Sequence, residues 1–206
     1  ATGRDSMVAN SVKVTVQTAP KSVALNITNK TIDLSSNERI FQLVGTISPS
    51  TANVYTHLKY TSSDKTVADV DENTGRVTAL KNGTATITVS TENNKTATCN
   101  VTVVTSPTGV TLDKSKATVD LSGTKTVELT AKIQPDTANI YTELSWISEA
   151  PEIAQVEKLN GSTVKVTGIS NGSAKIKVRT ENGKEATCVI VVETSITGIE
   201  IIPKTA

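Results

Sequence analysis

The chain has 206 residues, 21 Lys plus Arg against 20 Asp plus Glu, and 2% aromatic residues. The balance holds along its length, with 8 basic and 7 acidic residues in 20–106 and 10 and 11 in 107–195, which excludes the electrostatic footprint of a nucleic-acid or anionic-membrane binder. No run of about 18 apolar residues occurs, so nothing in this segment is expected to insert in a bilayer, and the first residues lack the basic-then-apolar layout of a signal peptide.

Thr and Val abound, and β-branched side chains suit a half-buried pleated surface. Taken in chain order, Val12, Val14 and Val16 lead into Thr18-Ala19-Pro20, just as Cys99, Val101 and Val103 lead into Thr105-Ser106-Pro107. Residues 1–19 are therefore expected to hold the last strand of an upstream repeat, or to be disordered.

Residues 23–34 (VALNITNKTIDL) return at 110–121 (VTLDKSKATVDL), 87 positions later. Next, Phe41, Leu43, Gly45 and Ile47 alternate with Ile40, Gln42, Val44 and Thr46, and the second copy repeats the period with Val127, Leu129, Ala131 and Ile133. A period of two places each set on one face of a strand.

Six residues separate Val70 from Val77 and nine separate Val156 from Val166, so a hairpin end is expected there, where an insertion costs little. Residues 82–99 and 171–188 are identical at 12 of 18 positions. Ala85, Ile87 and Val89, like Ala174, Ile176 and Val178, read as inward, with Thr84, Thr86 and Thr88 outward in the first copy and Lys175, Lys177 and Arg179 outward in the second, a change from hydroxyls to cations.

Turn chemistry recurs at Asn82-Gly83, Asn171-Gly172, Asn182-Gly183 and Asn73-Thr74-Gly75. No segment carries a sustained helical stripe. The fold expected is all-β: two tandem immunoglobulin-like sandwiches end to end, each an antiparallel set of about seven short strands.

The domain reading is 1–19 as above, a first repeat at 20–105, a second at 106–194, and the first strand of a downstream repeat at 195–206. Proline and a near-zero spacer at Thr105-Ser106-Pro107 restrict hinge motion. A tandem array of such units is expected to form a semi-rigid rod.

The spaced positions Leu58 to Asp64, Val67-Ala68-Asp69-Val70, Gly75 to Leu80, Gly83 to Ile87 and Ala97-Thr98-Cys99 resemble the bacterial immunoglobulin-like domain group 2 family. Leu144, Trp146, Ile153-Ala154, Val156, Val166-Thr167, Gly172, Ala174, Ile176 and Ala186-Thr187-Cys188 carry the same resemblance in the second copy. It implies tandem domains of bacterial surface proteins, adhesins, cell-wall and carbohydrate-active enzymes, or tailed-phage virion proteins. Two departures stand out. Tyr60 replaces the aromatic position held by Trp146, and Ala150-Pro151 interrupts the Ser/Asp turn of the second copy.

Candidate chemistry is sparse. Cys99 and Cys188 share one inward position in different repeats and read as buried hydrophobes rather than a disulfide. His57 stands alone on an outward parity with no partner for metal binding or catalysis.

Asp69, Asp71, Glu72 and Asn73 could offer oxygens to calcium, but Gln155, Glu157, Lys158 and Leu159 replace them in the second copy. No paired carboxylates recur as a glycosidase would need. No catalytic residue and no cofactor is expected, and Trp146 reads as core.

The remaining functional signal is the outer face of the second repeat, where Lys175, Lys177, Arg179, Val189 and Val191 form a candidate binding face. The expected function is a non-catalytic spacer of a bacterial cell-surface protein that displays or supports adhesion, with neighbouring Ig-like repeats as partners. Alternatives are an adhesin module binding host or cell-wall glycan or a surface protein, a phage virion decoration, and an accessory domain of a surface carbohydrate-active enzyme. Each places the chain outside the cell, on a cell or virion surface.

Overall fold

The computed structural model describes residues 13–196 and 198–200. The first repeat contains β1 (Ser22–Leu25), β2 (Asn29–Asp33), β3 (Ile40–Gln42), β4 (Gly45–Ser48), β5 (Leu58–Ser62), β6 (Ala68–Val70), β7 (Arg76–Ala79), β8 (Gly83–Thr91) and β9 (Thr96–Val104). One sheet has the order β2-β9-β8-β5, and the other side is built from β1-β4 and β3-β7-β6.

The second repeat contains β10 (Gly109–Leu112), β11 (Lys116–Asp120), β12 (Thr126–Gln134), β13 (Leu144–Ser148), β14 (Ala154–Lys158), β15 (Thr163–Gly168), β16 (Gly172–Thr180) and β17 (Glu185–Glu193). Its sheets run β11-β17-β16-β13 and β10-β12-β15-β14.

The inward sets read from the sequence are the core. Leu43, Ile87, Val89, Cys99, Val101 and Val103 pack in one cluster, and Leu129, Ile176, Cys188 and Ile190 in another, with no residue common to the two repeats. Both thiols are free and fully buried, and burial pushes each above its ordinary pKa.

The all-antiparallel expectation needs correction. β2 pairs with β9 in parallel, and β11 with β17 likewise. After β1 the chain crosses at residues 26–28 to the opposite sheet, so β2 runs alongside β9 instead of folding back on β1. Asn26 marks the crossing. Its backbone N donates to Val44 O at 3.1 Å while its Oδ1 accepts from Val44 N at 2.8 Å.

The second repeat makes the same exchange, Asp113 N donating to Thr130 O at 2.9 Å and Thr130 N to Asp113 Oδ1 at 2.8 Å. In the first repeat Asn26 N bonds to Val44 O and Leu43 N to Gly75 O, each one step beyond the β1-β4 and β3-β7 registers, so the hand-over from one partner to the other falls at Leu43-Val44. In the second repeat the longer hairpin lets β15 run beside β12 from Thr126 to Thr130, and Ala131 N reaches Ser162 O, so the strand stays whole. The hairpin ends fall at 71–75 and 159–162, where the differing spacings locate them.

The Tyr60 departure has a local cause. The Tyr60 hydroxyl accepts from Gly45 N at 2.9 Å. A Cβ on Gly45 would lie 2.6 Å from Leu58 Cδ1, and one on Gly75, which has φ of 74°, would lie 2.8 Å from Tyr60 Cζ. Glycine thus makes room for the phenol. Where the second copy has Trp146, Ala131 stands opposite Gly45, and the buried indole Nε1 has no partner among the described residues.

Ala150-Pro151 does not abolish its turn. Ile153 N and Ala154 N both donate to Ala150 O, as Val67 N and Ala68 N do to Asp64 O. Proline's fixed φ suits the first turn position, so the carboxylate of Asp64 is dispensable there.

Of the expected upstream strand, Lys13–Ala19 forms no strand and exposes Val14 and Val16, and the rest lies outside the described residues. Gly198–Glu200 of the expected downstream strand is likewise unpaired, with Thr197 and residues 201–206 outside the description.

Gly45→Ala is expected to destabilise the first repeat by about 1–3 kcal/mol through overpacking. In urea titrations the far-UV circular dichroism transition should split, while fluorescence of Trp146, the sole tryptophan, keeps its midpoint.

Candidate functional site

The candidate face of the second repeat lies on β16 and β17, where Lys175 stands opposite Val189 and Ser173 opposite Val191. Both valines are half-buried, flanked on the other side by Lys116 and Thr118 of β11. The cations are not equivalent. Lys177 pairs with Glu149 at 3.2 Å and Glu185 at 3.7 Å, and Arg179 with Glu185 at 3.5 Å.

Hydrogen bonding to Glu149 and the charges of Glu185 and Glu149 raise the Lys177 pKa. Lys175 has no ion pair among the described residues. The face brings all five predicted residues together, but two of its three cations are already neutralised.

The other sequence candidates are spent or alone. His57 is exposed. Asp71 Oδ1 accepts from Asn73 N and from the Thr74 amide and hydroxyl, closing the turn, and those Thr74 bonds lower its pKa. Among the described residues no three His, Cys, Asp or Glu side chains are grouped to hold a metal ion, and no helix is long and apolar enough to cross a membrane.

The densest polar arrangement lies at the joint between the repeats. Thr105 and Ser106 are only 3% and 7% exposed, and Pro107 is buried beside them. Buried backbone groups must find partners, and a three-residue connection has no ladder to supply them. Proline removes one donor. Side chains meet the rest.

Thr105 N donates to Asn139 Oδ1 at 2.8 Å, and Asn139 N returns a bond to Thr105 O at 2.9 Å. Ser106 N donates to Asp33 Oδ1 at 3.0 Å, and its hydroxyl donates to Asp33 Oδ2. The Pro107 carbonyl accepts from Asn182 Nδ2 at 2.8 Å. The connection is therefore held by both repeats at once.

Asn82 completes the joint. Its Oδ1 accepts from the Thr105 hydroxyl at 2.6 Å, and its Nδ2 donates across the gap to Thr137 O at 2.6 Å. Beside it, Leu34, Leu80, Arg39, Lys81 and Pro135 border a cleft of about 600 Å³.

The same bonds recur at the flanking connections. Thr18 N donates to Asn53 Oδ1 at 2.7 Å, Asn53 N to Thr18 O at 2.8 Å, and Asn93 Nδ2 to Pro20 O at 2.8 Å. At the other end Ser195 N donates to Asp120 Oδ1 at 3.1 Å and the Thr194 hydroxyl to Asn171 Oδ1 at 2.9 Å.

Burial pushes the Asp33 carboxyl up, but bonds from the Ser106 hydroxyl, the Ser35 and Ser106 amides and the Ser35 hydroxyl outweigh it. The group is held at about 2, against an ordinary 3.8. The Ser122 hydroxyl, followed by Ser195, holds Asp120 well below the usual carboxylate range. Both carboxylates stay ionised to accept from a turn and from a connection together.

Sequence reading aligned the Asp33 and Asp120 segments and classed Asn82 and Asn182 as turn residues without assigning them to the joint. The available signal was that these polar residues and Asn53/Asn139 are identical in both copies while the outer face is not.

The family model for the bacterial Ig-like domain (group 2) matches residues 38–101 and 107–191. Lacto-N-biosidase of Bifidobacterium bifidum is 34% identical over 88 residues, covering 41% of this chain and 7% of that protein. This chain therefore spans a small fraction of the curated relative's length.

Among solved structures, surface layer protein SbsC domains 1–6 align at a TM-score of 0.39 and 21% identity, covering 87% of this chain and 29% of that one. SbsC domains 4 and 5 align at 0.38 and 21%, covering 86% and 100%. The protocadherin gamma B4 extracellular domain aligns at 0.45 and 13%, covering 82% and 32%.

Because the Asp33 pKa is depressed in the folded chain, its contribution to the joint is present above about pH 4 and lost as pH falls through about 2. In an acid titration followed by NMR, the Ser106 amide shift should move with a midpoint near 2. Asp33→Asn should abolish that step.

Proposed function

This chain belongs to the bacterial Ig-like domain (group 2) family, and from that membership we propose that it is a non-catalytic spacer segment of a bacterial surface protein. The observation that carries the reading is the buried, doubly held connection at Thr105-Ser106-Pro107. A flexible tether would leave such residues exposed and bonded to water. Holding the backbone from both sides suits a segment whose task is to keep a fixed separation and direction.

The domain limits 20–105 and 106–194 follow the same logic, with the joint at their border. The partners are then neighbouring repeats of the parent chain, and the place of work is the extracellular or virion surface. Membership of the bacterial Ig-like domain (group 2) family, with a separate core in each repeat, supports a non-catalytic role.

A second reading is direct binding of a glycan or surface protein through Lys175, Lys177, Arg179, Val189 and Val191. The observation favouring it is Lys175, an exposed cation without an ion pair among the described residues, set beside two half-buried valines. A third, accessory service beside a carbohydrate-active domain, draws support from the similarity to a segment of lacto-N-biosidase.

The spacer reading expects the labelled chain to show no saturable binding to arrayed glycans, cell-wall fragments and host-surface proteins, with or without calcium. Saturable binding that disappears in the Lys175→Glu, Lys177→Glu, Arg179→Glu variant would replace the spacer by an adhesive module.

A further inference from the structure

The cleft of about 600 Å³ beside the joint has no task in the spacer reading. Its volume falls in the range of roughly 300–1,000 Å³ that small-molecule pockets occupy, and such pockets favour the border between domains. Neither repeat makes it alone. Leu34 and Arg39, which flank the β2-β3 connection, and Leu80 and Lys81, which link β7 to β8, come from the first repeat. Pro135 and Thr137, after β12, come from the second, and the bond from Asn82 Nδ2 to Thr137 O ties the two walls together.

The lining combines hydrocarbon with charge of one sign. Leu34, Leu80 and Pro135 are apolar, and the charged residues of the wall, Arg39 and Lys81, are both cations. Arg39 Nη2 donates to Leu34 O at 2.6 Å, which fixes the guanidinium against the wall. Its other N–H groups have no acceptor among the described residues, and neither cation has an ion pair there.

The nearby acids are engaged elsewhere. Asp33 accepts from Ser35 and Ser106, and Asp136 pairs with Lys132 at 3.2 Å. Asp64, close enough to Lys81 to sense its charge, accepts from the Thr66 hydroxyl and amide. A lone exposed cation is satisfied by water. Two cations beside an apolar hollow attract an anion more strongly, because the hydrocarbon lowers the local dielectric, and a guanidinium fork matches the two oxygens of a carboxylate.

We propose that this cleft binds a small amphipathic carboxylate, its apolar body against Leu34, Leu80 and Pro135 and its charged group between Arg39 and Lys81. Because the ligand touches both repeats, it adds a bridge across the joint and stabilises the arrangement it binds. This ligand class lies outside the glycans and proteins on which the spacer reading turns. The inference rests on that reading in one respect, that the two repeats are held as they stand.

The test titrates hexanoate into the isotope-labelled full chain and follows the amide signals of Leu34, Leu80, Lys81 and Thr137 by NMR. These signals should move together and saturate with one Kd in the millimolar range. Hexanamide, which lacks the charge, and acetate, which lacks the apolar body, should each bind at least about fivefold more weakly. The Lys81 side chain makes no hydrogen bond among the described residues, so Lys81→Gln leaves the fold intact and should raise the Kd by about two- to fivefold. Arg39→Gln should weaken binding in the same direction.

The absence of saturable shifts at these amides, equal binding of hexanamide or acetate, or a Kd unmoved by Lys81→Gln would each overturn the proposal. Residual dipolar couplings of the same sample report separately on the joint. A failed titration in a chain described by one alignment tensor counts against the cleft alone, whereas two tensors count against the spacer reading.

Discussion

A buried connection between two domains creates a demand that only side chains can meet, and that demand organises this molecule. Thr105 and Ser106 are out of contact with water, so their amides need acceptors. Asn139 supplies one from the second repeat and Asp33 the other from the first. Two sandwiches with separate cores are thereby joined through a few polar residues rather than through shared apolar packing.

That division of labour explains how the two copies diverge. The inner faces of β8 and β16 keep Ala, Ile and Val, because each packs an equivalent core. The outer faces move from threonine and serine to lysine and arginine, a change that surface solvation tolerates. The joint residues Asp33/Asp120, Asn53/Asn139, Asn82/Asn171 and Asn93/Asn182 are the same in both copies, although several are exposed and contribute little to either core. Their identity follows from the connection they hold.

Much of the fold was legible because strands write a period of two. The inward sets around Leu43, Leu129, Ile87 and Ile176, the buried thiols and the hairpin ends all follow from parity and offset. The parallel pairing of β2 with β9 was not legible, since a crossing at Asn26 leaves no periodic trace. The joint was hidden for a different reason. Ser106 lies 73 residues from Asp33, and Asn182 75 residues from Pro107, so each side chain reads locally as an ordinary turn residue. The outer-face cations were found by comparing the copies, but their pairing with Glu149 and Glu185 depends on cross-strand register and strand ends that spacing alone does not specify.

The central claim is that the two repeats move as one body because their connection is held from both sides. Residual dipolar couplings of backbone amides in weakly aligned medium test this most directly. The account predicts that one alignment tensor fits residues 20–105 and 106–194 together, and that Asp33→Ala combined with Asn139→Ala requires two. Two tensors of different magnitude in the unsubstituted chain would contradict it.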